Sequence, residues 1–170
     1  MNMKKIGLFY SKSTVKTAQI AKKILAEFDK GQIESVTLED AWEADFEKYD
    51  NLILGAATWF DGELPDAWDE LIPKIKTINF KGKKAAIFGL GNQKGYPDNF
   101  VDSIGLLADV FEECGANIVG FTSTEGYEFE KSAAVRNGKF CGLAIDFENQ
   151  NKLTDKRVKD WVENLKNEFN

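Results

Sequence analysis

Ser11-Lys12-Ser13-Thr14-Val15-Lys16-Thr17 places hydroxyls at positions 13, 14 and 17 where an apolar run ends and a helical pattern begins. The free N–H groups of a helix's first turn attract anions, so these hydroxyls and amides together could hold a phosphate. The stretch has neither a Walker lysine signature nor G-x-G-x-x-G, and a hydroxyl-rich helix start without a ligand accounts for it equally well. In Thr58-Trp59-Phe60-Asp61-Gly62-Glu63-Leu64-Pro65, two large aromatics stand side by side beyond another apolar run. Neighbours in an extended segment point opposite ways, so burying both is difficult, and an exposed indole is a good stacking surface for a planar ligand. Gly89, Gly91 and Gly95 imitate a dinucleotide fingerprint, but they run G-x-G-x-x-x-G after the fourth strand, and Tyr96-Pro97 falls where a helix should have started. What remains is a turn presenting Tyr96. Two aromatics and a phosphate-like loop describe a receptacle for a flat phosphorylated ring.

Composition removes much other chemistry. The chain has no histidine, which excludes Ser-His-Asp and Cys-His nucleophiles and histidine-ligated zinc, copper or haem. Its net charge of −6 without a long basic run argues against nucleic acid. An acidic surface suits a partner with a basic docking face, or simply maintains solubility. No run approaches a membrane span, the apolar stretch at 6–10 is too short for a signal peptide, and Cys114 and Cys141 form no C-x-x-C motif. These features point to a cytoplasmic protein with reduced thiols.

The elements that must position the three loops follow from hydrophobic periodicity. Strands are expected over residues 5–10, 33–38, 51–57, 84–90 and 117–121, the last continued by 141–145. Helices are expected over 15–28, 41–47, 65–75, 98–114 and 155–169, with Thr154 as the N-cap of the last. Strict alternation predicts an α/β fold: a doubly wound, five-stranded parallel sheet with helices on both faces, in one domain spanning 1–170. Ligands then bind beyond the carboxyl ends of the strands, where the segments after Tyr10, Ala57 and Leu90 lie. Residues 122–140 keep neither period and read as an excursion interrupting the last strand.

The strings IGLFY, TWFDGELPDAW, FGLGNQKGYPDNFVDSIG, STEGYEF and NGKFCGLAIDFENQ occur in this order and together resemble the flavodoxins, specifically the long-chain group, over essentially the whole chain. The 122–140 excursion is similar to the insertion that marks that group. The resemblance implies a sheet of order 2-1-3-4-5 and non-covalent flavin mononucleotide (FMN), with Trp59 and Tyr96 flanking the isoalloxazine ring. It implies that Thr14 and Thr17 hold the phosphate with the backbone of loop 12–17. Thr58, Gly91, Asn92, Asn99 and Asp146 would line the ring or ribityl chain, with Phe60, Asp61, Gly62 and Leu90 completing the site.

The implied activity is low-potential one-electron transfer between semiquinone and hydroquinone in place of ferredoxin. Such a monomeric carrier is not an enzyme; its partners would be flavodoxin or ferredoxin reductases and low-potential donor or acceptor enzymes. A negatively charged, water-poor site lowers the potential of a reduced anionic flavin, and Asp61, Glu63, Asp98 and Asp146 are the acidic candidates. The alternatives are a two-electron flavin reductase on the same fold, or a related binding module with weakened FMN affinity.

The phosphate loop departs from the family pattern S/T-x-T-G-x-T by carrying Lys12 and Val15, and Asn92 stands where an acid is common. If the family glycine serves only to leave room, Val15 keeps helical dihedrals, and Lys12 or Lys16 compensates by attracting the phosphate. If it serves a positive φ, the loop must rearrange.

Overall fold

IGLFY, NLILGAA and KAAIFGL are nearly unbroken apolar runs because helices cover both faces of the sheet they build. The computed structural model describes residues 3–170. The strands are β1 (Ile6–Tyr10), β2 (Ile33–Thr37), β3 (Asn51–Ala57), β4 (Lys84–Leu90) and β5 (Asn117–Val119), all parallel in the order β2-β1-β3-β4-β5. That is the expected order, with its switch point between β1 and β3.

The last strand is split. β5 pairs with β4 over Lys84 to Ala86, while β9 (Leu143–Ile145) continues the same edge over Phe88 to Leu90. Between them, β6 (Thr122–Ser123), β7 (Val135–Arg136) and β8 (Lys139–Phe140) form a small antiparallel sheet in the order β6-β8-β7. Strands of two residues are too short to show a period, which is why this segment looked irregular. β5 stops short of the expected 121 because Gly120 turns at φ +82°, its N–H bonded to the Glu168 carboxylate at 2.6 Å.

The helices are α1 (Val15–Ala26), α2 (Glu43–Lys48), α3 (Asp66–Ile75), α4 (Asp102–Glu113), α5 (Phe147–Gln150) and α6 (Thr154–Glu168). Ile20 and Ile24 of α1 pack with Val158, Trp161 and Leu165 of α6 on one face of the sheet. Phe46, Trp68 and Phe111 bring α2, α3 and α4 onto the other, where the Trp68 indole N–H bonds the Gly55 carbonyl at 2.9 Å.

α2 and α3 begin at Glu43 and Asp66, one or two positions inside the expected 41 and 65, and α4, α6 and α5 depart from expectation for local reasons. α4 begins at Asp102 and not at 98, because the excursion claims the preceding turn: the Glu130 and Lys131 amides both bond the Pro97 carbonyl, and Val101 adopts φ +48°. α6 is preceded by Leu153, so Thr154 is its first helical residue and not its cap; the Thr154 hydroxyl is buried without a partner. The short α5 was not anticipated, since one turn carries no period; its cap is Asp146, whose side chain accepts from the Asn149 amide.

α4 approaches the excursion so closely that a Cβ on Gly105 would lie 2.0 Å from the Ala133 carbonyl oxygen. Alanine is ordinarily favoured over glycine inside a helix by about 1 kcal/mol. Here the obstructing atom is backbone and cannot swing aside, and overpacking of this kind costs about 1 to 3 kcal/mol. Gly105→Ala is therefore expected to lower the urea unfolding midpoint, with a net loss of about 1 kcal/mol; a raised midpoint would show that the excursion yields freely.

Candidate functional site

The loops after β1, β3 and β4 enclose a cleft of about 390 Å³ at the carboxyl edge of the sheet. Ser13, Thr14, Val15, Lys16 and Thr17 line one end; Thr58, Trp59, Leu90, Gly91, Asn92 and Tyr96 line the rest. Two residues not foreseen, Ala57 and Glu148, share the lining.

At the first end, Thr14 precedes α1 with extended backbone and uses its hydroxyl to bond the Ser11 carbonyl at 3.1 Å, so no side chain caps the helix. Val15 is the first helical residue and is absent from the non-glycine residues with positive φ, which are Phe60, Val101 and Asn137 among those described. The glycine of the family pattern is thus dispensable for backbone conformation here. The first turn of α1 contains no acidic residue, leaving its amides and the partial positive charge of the helix end uncompensated. Thr17 is 1% exposed, and its hydroxyl has no hydrogen-bond partner. A buried polar group in that state costs about 1 to 3 kcal/mol unless a ligand satisfies it. Open amides and an orphaned hydroxyl on one cleft wall fit a phosphate.

Carboxylates hold this loop from both sides. Glu39 accepts from the Ser11 hydroxyl and, at 3.2 Å, from the Lys12 amide. Partial burial pushes the Glu39 pKa up, but the bonds from Ser11 and neighbouring amides outweigh it and hold the group below its ordinary value. The Lys12 ammonium lies outside the cleft, 3.7 Å from Asp40. Lys16 reaches across to Glu148 on α5 at 2.6 Å.

The aromatic wall rests on a tight turn. Trp59 and Glu63 exchange backbone hydrogen bonds of 2.8 and 2.7 Å, forcing Phe60 to φ +47° and Gly62 to φ +89°. A left-handed phenylalanine is strained by about 1 to 2 kcal/mol and persists only because its surroundings fix it. Asn99 supplies part of that restraint: its amide N–H₂ bonds the Asp61 carbonyl and the Asp102 carboxylate, both at 3.1 Å. Phe60 is 73% exposed and meets Trp59 edge-on with centroids 6.4 Å apart. The Thr58 hydroxyl faces inward, bonding Ser103 at 3.0 Å.

Opposite, Tyr96 is 56% exposed on the cleft, its amide bonded to the Asn92 carbonyl at 2.9 Å. The Asn92 side-chain oxygen accepts from the Gly95 amide at 2.8 Å and the Asn149 side chain at 2.9 Å. Asp146 does not line the cleft; it lies fully buried behind this loop. Its carboxylate accepts from the Gln93 amide and side chain and from the Asn149 amide and side chain. Burial raises its pKa, yet these bonds more than offset burial and hold it below the usual range. Lys12, Phe60, Asp61, Gly62 and Asn99 likewise lie outside the lining. Gln93 went unnoticed because a polar loop residue gives no sign of burial; Glu148 was hidden by the absence of any period around α5.

A sequence profile of the flavodoxin family matches residues 8–161. The chain is 47% identical over 169 residues to the flavodoxin of Nostoc sp., covering 98% of each chain. It is 40% identical over 165 residues to the flavodoxin of Haemophilus influenzae, covering 96% of this chain and 95% of that one. The crystal structure of Fusobacterium nucleatum flavodoxin bound to flavin mononucleotide matches with a TM-score of 0.94 at 39% identity, covering 99% of this chain and 100% of that chain.

The orphaned Thr17 hydroxyl makes the phosphate end testable without any other ligand. Thr17→Val removes the unsatisfied group while keeping the shape, and is expected to stabilise the unliganded protein by about 1 kcal/mol. The same substitution should reduce the rise in melting temperature produced by inorganic phosphate. A destabilised variant with phosphate protection intact would show that the hydroxyl does not serve the anion site.

Proposed function

From the premise that the chain belongs to the flavodoxin family, we propose that its cleft binds FMN and that the protein acts as a one-electron carrier, not as an enzyme. The observation that carries this reading is the convergence on one cleft of the unpartnered Thr17 hydroxyl at the start of α1 with the Trp59 and Tyr96 side chains. When bound, FMN supplies two successive one-electron steps; the protein supplies the environment in which they occur.

Thr14 to Thr17 would hold the phosphate through backbone amides and the Thr17 hydroxyl. Trp59 and Tyr96 would take the two faces of the ring, excluding water and orienting it. The Phe60 turn, locked by Asn99, would keep Trp59 in place. Asn92 stands at the cleft wall as a neutral amide that lends the site no charge, its oxygen accepting from two N–H donors. Asp146, buried behind the loop and held ionised by four donor groups, would contribute a fixed negative charge that opposes accumulation of electrons on the ring.

A net charge of −6 favours redox partners that present a basic face. No helix among the described residues is long and apolar enough to cross a membrane. The reading extends to a cytoplasmic monomer, consistent with the free thiols of Cys114 and Cys141. Flavin absorbance in the purified protein, and two resolved one-electron potentials on reductive titration, are expected; a colourless protein that takes up no FMN would sink the reading.

Two substitutions probe the walls. Aromatic stacking on a planar ring is worth about 1 to 3 kcal/mol per face, so Tyr96→Ala should raise the FMN dissociation constant by about tenfold or more in a fluorescence titration. Asn92→Asp places a carboxylate where the Gly95 amide and Asn149 side chain already donate. A unit charge near the ring, after solvent screening, is worth roughly 1 kcal/mol, or about 40 mV for one electron. The potential of the second one-electron step should fall by an amount of this order, and a rise would contradict the placement of Asn92 beside the ring.

A further inference from the structure

The phosphate end of the cleft contains one cation and one anion that are engaged with each other. Lys16, on the first turn of α1, and Glu148, on α5, both line the cleft and meet at 2.6 Å. Lys16 also lies 6.0 Å from the centre of the Phe147 ring. The other lysine of the loop is held away from the cleft, with its ammonium near Asp40 and its amide on Glu39. Lys16 is therefore the one ammonium in the cleft lining, and Glu148 is its partner.

We propose that Glu148 is a specificity-determining residue: by competing with the phosphate for Lys16, it sets how strongly the cleft prefers a phosphorylated flavin to the unphosphorylated one. The inference rests on the FMN reading above and adds a residue to it. The Lys16 and Glu148 side chains are 53% and 43% exposed, and ion pairs in that setting contribute little to stability, so the pair separates easily. A phosphate at the open amides and the buried, unpartnered Thr17 hydroxyl is the stronger partner for an ammonium, because it carries nearly two charges and is shielded from water on the protein side. When Lys16 turns to the phosphate, the Glu148 carboxylate is left without its cation at the edge of a site that now holds an anion. Glu148 thus weakens phosphate binding twice, by holding Lys16 in the empty cleft and by repelling the anion in the filled one. A flavin lacking the phosphate meets neither effect. The same competition raises the concentration of inorganic phosphate needed to fill the pocket.

The test uses the full chain freed of flavin, with dissociation constants for FMN and riboflavin read from flavin fluorescence and inorganic phosphate added as competitor. For Glu148→Gln, the ratio of the riboflavin to the FMN dissociation constant is expected to rise by about fivefold at low ionic strength. Inorganic phosphate should compete at lower concentration, and both effects should shrink at about 0.5 M salt. Lys16→Met should lower the ratio. Adding Glu148→Gln to Lys16→Met should raise it by less than in the unaltered background, because no ammonium remains to compete for. Glu148→Ala serves as the second variant and should follow Glu148→Gln. An unchanged or lowered ratio in the Glu148 variants, or an equal rise with and without Lys16, would overturn the competition. Wild-type protein that binds neither flavin would overturn the FMN reading itself, an outcome distinct from wild-type binding with an unaltered ratio.

Discussion

The buried carboxylate of Asp146 is the constraint on which one wall of the cleft depends. A charge removed from water must be matched by donors held in place. Here those donors are the amide and side chain of Gln93 and the amide and side chain of Asn149. Satisfying Asp146 therefore joins three chain segments at the end of β9: the turn into α5, the loop after β4 and, through the Gln93 oxygen that accepts from the Glu128 amide at 2.6 Å, the excursion. Asn149 passes the restraint to Asn92, and Asn92 accepts from Gly95 and bonds Tyr96 through its carbonyl. The exposed tyrosine is carried by a rigid loop whose fixed point is out of solvent.

The excursion extends the same logic to the opposite wall. It does more than fill a gap in the last strand: Phe100 donates to the Lys131 carbonyl, Ser132 donates to that of Phe100, and the Asp102 carboxylate accepts from Ala133. Asp102 also accepts from Asn99, whose second bond holds the Asp61 carbonyl. A continuous set of hydrogen bonds thus runs from the excursion to the left-handed turn at Phe60 and so to Trp59. Backbone strain of this kind survives only where the surroundings over-determine it. The two aromatic walls are held by one piece of chain on the far side of the loops that carry them.

Much of the fold was legible because long-range burial leaves a local trace. β3 and β4 needed no correction, since the six residues after Asn51 and the six after Lys84 are apolar, as a strand covered on both faces requires in any register. The start of α1 was legible for the complementary reason, a row of hydroxyls at the end of an apolar strand. All of the cleft-lining residues except Ala57 and Glu148 follow from loop position and resemblance, whereas of the residues behind them Gln93 and Asn149 gave no sign. Gln93 and Asp146 are polar residues whose burial depends on partners more than fifty positions away in sequence. Asp146, expected along the ring or ribityl chain, is fully buried behind the loop with its carboxylate accepting from Gln93 and Asn149. α4 was expected to start at 98 since the apolar spacing allows it; the competing bonds from Glu130 and Lys131 come from a segment with no readable period.

Two buried threonine hydroxyls lack partners, and the contrast between them shows what distinguishes a site from a packing defect. Thr154 opens α6 as Thr17 lies in the first turn of α1, and both are almost fully buried on the same face of the sheet. An orphaned hydroxyl carries the same desolvation cost in either place. Thr154 lines no part of the cleft, and α6 has Asp155 in its first turn to oppose an anion. Thr17 lines the cleft, its helix start has no acid, and an ammonium lies within the same lining. The loop also keeps its conformation without the glycine common to its family, since Val15 is helical. The first turn of α1 therefore leaves its amides and the Thr17 hydroxyl without protein partners, and the valine and the two lysines alter their surroundings without satisfying them.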